Sequence, residues 1–138
     1  MALTNLELLR GMILDMDGVL WRGVEPLGDL PAIFTKLNQK QLRVVLATNN
    51  ATASAQQYLA KMESFGVNLE AWQVINSSQA TAYYLSHCLP KGSPVYVIGE
   101  EGITNALIEA GFTISAHGAQ AVVVGMDRQL SYDKLRAA

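Results

Sequence analysis

The chain is poor in the residues that mark several protein classes. It has one cysteine in 138 residues, Cys88, so no internal disulfide can form and a reducing cytoplasm is the expected setting. Cys88 stands among apolar residues and reads as a core side chain rather than a nucleophile. There are two histidines, His87 and His117, and neither has metal-ligand spacing. Charged residues make up 16% and the formal net charge is -2, which leaves no electrostatic footprint for a nucleic acid. No apolar run is long enough to span a bilayer. Residues 1–10 lack the basic-then-apolar layout of a secretory leader. What remains is an ordinary globular balance, 50% hydrophobic, with length for one domain or slightly more.

The informative stretch runs from Gly11 to Trp21. Met12, Ile13 and Leu14 form a short apolar run of the kind that is buried on both faces of a parallel sheet. It ends abruptly in two acids, Asp15 and Asp17, followed by Gly18. Ligands of open α/β sheets bind at the carboxyl ends of strands. Residues i and i+2 of extended chain point the same way, so both carboxylates can face one spot. That spot suits a hard cation such as Mg²⁺. Gly18 allows a sharp turn and close approach to a ligand. An acidic turn with glycine is also a common purely structural feature, and the glycine comes too early for a calcium loop.

A second run, Leu42 to Ala47, repeats the plan and ends in Thr48-Asn49-Asn50. A hydroxyl and backbone N–H groups at such a tip, near a helix start, suit a phosphate oxygen. Between the two runs, Asp29 caps a helix with Pro31 in its first turn and Leu30, Ile33, Phe34 and Leu37 at helical spacing. Ser54-x-x-Gln57 reads as a capping box, with Leu59, Met62 and Phe65 as the apolar face and Gly66 as the stop. Val74-Ile75-Asn76 is a third strand, and Ser77 or Ser78 caps a helix to about Leu89. Pro90-Lys91-Gly92-Ser93-Pro94 is the strongest break. Beyond it come a strand over 95–99, a helix over 103–110, a strand over 121–125 and a helix from Ser131. Strands alternating with helices predict an α/β fold, a Rossmann-like parallel sheet with helices on both faces.

The string Asp15-Met16-Asp17-Gly18-Val19-Leu20-Trp21 resembles the first motif of the haloacid dehalogenase-like phosphohydrolases. It is most similar to the branch with a large α/β cap, which includes 4-nitrophenyl, pyridoxal and phosphoglycolate phosphatases. Thr48 and Asn49 match that family's second motif. The resemblance implies that residues 1–89 are the N-terminal part of the phosphatase core and 90–138 the first part of an α/β cap. It implies a coil and a hairpin flap after the first motif. It also implies a Mg²⁺-dependent phosphatase acting on a small phosphorylated metabolite. Asp15 would be the nucleophile and Asp17 the general acid and base. Asp15 and the backbone carbonyl of Asp17 would hold Mg²⁺, and Gly18, Thr48 and Asn49 the phosphate.

The family's later motifs, a lysine and a Gly-Asp-x-x-x-x-Asp acid pair, have no match. Lys91 with Gly99-Glu100 imitates them but leaves no room for the intervening helix. Gly125-Met126-Asp127 with Asp133 has the wrong spacing. The chain therefore reads as an N-terminal half whose partner is a missing C-terminal half or a second copy, with no nucleic acid or membrane involved. Two rivals stay open: a non-catalytic association or binding module that kept the motif, and a compact phosphatase using Glu100 as its acid.

Overall fold

A computed structural model describes residues 8–138, and the lead-in over 1–7 lies outside the described residues. The chain is α/β and divides into two compact units, one of residues 1–48 and 55–75, the other of 49–54 and 76–138.

The first unit is built on a parallel sheet in the order β1-β4-β5, from β1 (Gly11–Asp15), β4 (Arg43–Thr48) and β5 (Val74–Asn76). A hairpin of β2 (Trp21–Arg22) and β3 (Glu25–Pro26) follows the first strand, as the flap expectation requires. Helices α1 (Leu30–Gln39) and α2 (Ala55–Ser64) complete the unit. Asp29 caps α1 as expected, its carboxylate accepting from the N–H of Ala32 at 3.0 Å. The buried face of α2 is Ala55, Tyr58 and Met62, so its centre lies one residue away from the expected Leu59. Its stop is a Schellman turn. Val67 N–H donates to Met62 O, Gly66 N–H donates to Glu63 O, and Gly66 has φ +80°.

Strand β1 is not buried on both faces. Among the described residues it has a neighbour, β4, on one side only, the edge position expected where the late-motif strands are missing, and Met12 and Leu14 are half-buried. Ile13 is 75% exposed, while Met16 is fully buried. Residues 11, 13, 15 and 17 are all exposed, and the alternate side chains turn inward.

The second unit carries its own three-stranded parallel sheet, ordered β7-β6-β8, from β6 (Pro94–Ile98), β7 (Thr113–Ile114) and β8 (Ala121–Val124). Helices α3 (Ser77–Cys88), α4 (Glu101–Glu109) and α5 (Tyr132–Ala137) belong to it. The units part between Ile75 and Asn76, ahead of the break expected at Pro90. The cause is packing. Ala82 of α3 is buried with Val95, Ile103, Leu107, Phe112 and Val123, and Leu85 and Leu89 pack on that cluster.

Two smaller corrections concern α3. Its cap is Asn76, whose side chain accepts from Gln79 N–H while Gln79 returns a bond to the Asn76 N–H. Ser77 and Ser78 are already helical. Cys88, expected in the core, is exposed at the last residue of α3. No helix among the described residues is long and apolar enough to cross a membrane.

Candidate functional site

The first unit brings Asp15 and Thr48 to the same carboxyl edge. β1 and β4 are parallel neighbours with Asp15 paired to Ala47, so Thr48 lies one residue further along the adjoining strand. Alternation along paired strands then sends the two side chains to opposite faces. Asp15 is exposed. Thr48 is only 8% exposed and its side chain hydrogen-bonds the Tyr58 phenol.

After Asp15 the chain turns tightly. Val19, Leu20 and Trp21 N–H groups all converge on Met16 O, and Gly18 N–H reaches Trp21 O at 2.7 Å. Gly18 has φ +80°, which glycine adopts without strain. Space beside it is open, since an added Cβ would meet nothing within 4 Å. The turn thus leaves Asp15 and Asp17 exposed on the side opposite buried Met16.

Asp17 has a partner that the sequence reading gave no role. The Trp21 indole Nε1–H donates to Asp17 Oδ1 at 2.7 Å. Trp21 is itself fully buried. Its ring stacks on Tyr58 with centroids 6.3 Å apart and meets Phe65 at 6.0 Å. Lys61 Nζ stands 4.2 Å over the ring and donates to Gly23 O at 2.8 Å. Burial, and secondarily the Asp17 charge, push the Tyr58 phenol above its ordinary range, against a smaller opposing pull from Thr48. The available sequence signal was the spacing of Asp17 and Trp21 across one tight turn.

Asn49 falls in the other unit, in the segment 49–54. Its carbonyl accepts from Ser77 Oγ at 2.9 Å. Asn76 Nδ2 clasps Ala53 O at 2.9 Å, and Asn50 Oδ1 accepts from both the N–H and hydroxyl of Thr52. Asn50 is therefore a turn former, the bland alternative for this polar tip.

The acids that imitate the late motif are engaged elsewhere. Arg128 Nη1 lies 2.7 Å from each Glu100 oxygen. Lys134 Nζ is 2.6 Å from Asp127, which holds that carboxyl below its ordinary range. No group of three or more His, Cys, Asp or Glu that could hold a metal occurs among the described residues. Asp15 and the Asp17 carbonyl are hard oxygen donors that fit Mg²⁺, but they supply only part of a six-oxygen shell.

Comparison with known proteins agrees with this geometry. A family model described as haloacid dehalogenase-like hydrolase matches residues 12–113. A chloroplastic phosphoglycolate phosphatase of Arabidopsis thaliana is 37% identical over 90% of this chain and 40% of its own. A 5'-nucleotidase of Bacillus subtilis is 34% identical over 91% of this chain and 48% of its own. The crystal structure of a 4-nitrophenylphosphatase from Thermotoga maritima superposes with a TM-score of 0.86 at 26% identity, covering 94% of this chain and 49% of that one. The chain thus spans about half the length of the relatives it matches. With a family model matching residues 12–113, the chain belongs to the haloacid dehalogenase-like hydrolase family.

Proposed function

We propose that this chain supplies the nucleophile half of a Mg²⁺-dependent phosphatase for small phosphate monoesters. The observation that carries the reading is an exposed carboxylate, Asp15, at the carboxyl tip of β1, with Thr48 on the adjoining parallel strand. An Asp15 oxygen attacks phosphorus, the bond to the ester oxygen breaks, and the leaving oxygen takes a proton from the Asp17 carboxyl. Water then attacks the aspartyl-phosphate, gives its proton to Asp17, and releases phosphate and the Asp15 carboxylate. Asp15 and the carbonyl of Asp17 would hold Mg²⁺, which offsets the repulsion between carboxylate and phosphate. Gly18, with open space beside it, would leave room for the phosphate, and the Thr48–Asn49 tip would receive its oxygens. Residues 90–138 would be the first part of the cap.

The remaining metal ligands and the phosphate lysine would come from a C-terminal half that also covers β1. A second reading, a non-catalytic association module, is favoured by one observation, the bare Ile13 face of that strand. One assay separates the two. Residues 1–138 are tested on 4-nitrophenyl phosphate with and without Mg²⁺, alone and with the C-terminal half of a relative added as a second chain. Negligible turnover alone and Mg²⁺-dependent turnover of the pair is expected. No turnover by an assembled pair rejects the phosphatase reading, and robust turnover by the chain alone rejects the half-enzyme reading.

A further inference from the structure

We propose that Trp21 is a positioning residue for Asp17: its indole N–H fixes Oδ1, so that Oδ2 exchanges the proton with the ester oxygen and with water. This rests on the phosphatase reading above. The argument starts from the donor. An indole N–H donates and cannot accept, so it occupies one carboxylate oxygen without competing for the proton. At 2.7 Å it makes a short bond to that oxygen. An exposed aspartate otherwise samples several rotamers, whereas proton transfer needs one geometry.

The donor is immobilised in turn. Trp21 is 0% exposed, stacks on Tyr58, and carries the Lys61 ammonium 4.2 Å over its ring. The backbone closes the same loop, with Asp17 and Trp21 joined by a β-bridge and Gly18 N–H bonded to Trp21 O. Tyr58, whose phenol is kept protonated by burial and by the Asp17 charge, joins this platform to Thr48 on β4. The platform therefore links the acid–base group to the tip of the neighbouring strand. A buried indole N–H needs an acceptor, and the acceptor here is the acid–base carboxylate.

The test has two arms. In the 138-residue chain, the Trp21 indole N–H resonance is followed by ¹H–¹⁵N NMR, with Trp72, 53% exposed, as internal reference. Asp17→Ala should shift the Trp21 signal upfield and leave Trp72 in place, whereas Asp15→Ala should move neither. In the assembled enzyme, Trp21→Phe keeps the ring and removes the N–H. An alkyl phosphate needs its leaving oxygen protonated, while 4-nitrophenolate leaves without help. Trp21→Phe should cut kcat/KM, which reports steps up to the aspartyl-phosphate, about 10-fold more on the alkyl ester than on the aryl ester. In an Asp17→Asn background it should add almost nothing. An indole signal indifferent to Asp17→Ala overturns the proposal, and the NMR arm decides this even if Trp21→Phe does not fold. Equal losses of kcat/KM on both esters also overturn it, since they mark a structural role. If the assembled wild type hydrolyses neither ester, the phosphatase reading falls and takes the positioning role with it, while the indole bond is still seen by NMR.

Discussion

Gly102 sits inside α4, where helix propensity alone argues that alanine would stabilise by about 1 kcal/mol. The structure reverses that sign. A Cβ built on Gly102 would stand 2.2 Å from the backbone oxygen of Ala51, and 3.2 Å from its carbonyl carbon. The obstacle is main chain and cannot rotate aside. Segment 49–54 is moreover clasped by Asn76 and Ser77, so it cannot retreat without breaking those bonds. Overpacking of this kind costs about 1–3 kcal/mol, and against a backbone atom the upper end applies. Subtracting the propensity gain leaves a net loss of about 1–2 kcal/mol. The assay is amide hydrogen exchange in β6, which reports opening of the second unit. Gly102→Ala should accelerate it by about 5- to 30-fold. Tryptophan fluorescence provides a separate reading, because Trp21 and Trp72 both lie in the first unit. Unchanged or slower β6 exchange would refute the seating of segment 49–54 on α4.

Gln41 ends α1 in the left-handed region at φ 55°, the one described non-glycine residue there, in a turn closed by Leu42 N–H to Leu37 O. Gln41→Gly should raise stability by about 1 kcal/mol, read as a higher midpoint in urea. Tyr58 supplies a pH dependence at the alkaline end. Its folded value lies above 10.0, so its contribution is intact below pH 10.0 and is lost as pH rises through the higher folded value. Tyr58→Phe should flatten that alkaline limb of a stability–pH profile, and Asp17→Asn should bring the phenol's titration, followed by ultraviolet absorbance, to lower pH.

The parts of the fold that were legible in the sequence are those set by local chemistry. The apolar runs ending at Asp15 and Thr48, the Asp29 cap with Pro31, and the Gly66 stop all follow from residue type and spacing. Misreadings arose where tertiary packing decides. The Pro90 break is a real turn, but it says nothing about which core Ala82 and Leu85 join. The missing late motifs point to Met12–Leu14 as an open edge, but which face lacks cover, and so the exposure of Ile13, depends on packing. Cys88 among apolar neighbours in sequence is still exposed at the end of α3. Strand β7, two residues long, carries no periodicity to detect. In the candidate site, the carboxylates were legible as a pair after a strand. The indole bond to Asp17 and the turn of Thr48 toward Tyr58 were not, since both depend on where α2 and the hairpin place their rings.

The central claim is that Asp15 is the atom donor to phosphorus. Its most direct test is to quench the assembled enzyme during turnover and reduce the acyl phosphate with ³H-borohydride, which releases phosphate and leaves ³H-homoserine where the phosphorylated aspartate stood. The account predicts Mg²⁺-dependent label on Asp15 alone, lost in Asp15→Asn and accumulating in Asp17→Asn as hydrolysis of the intermediate slows. Label on another residue, or turnover persisting above a few percent in Asp15→Asn, would contradict it.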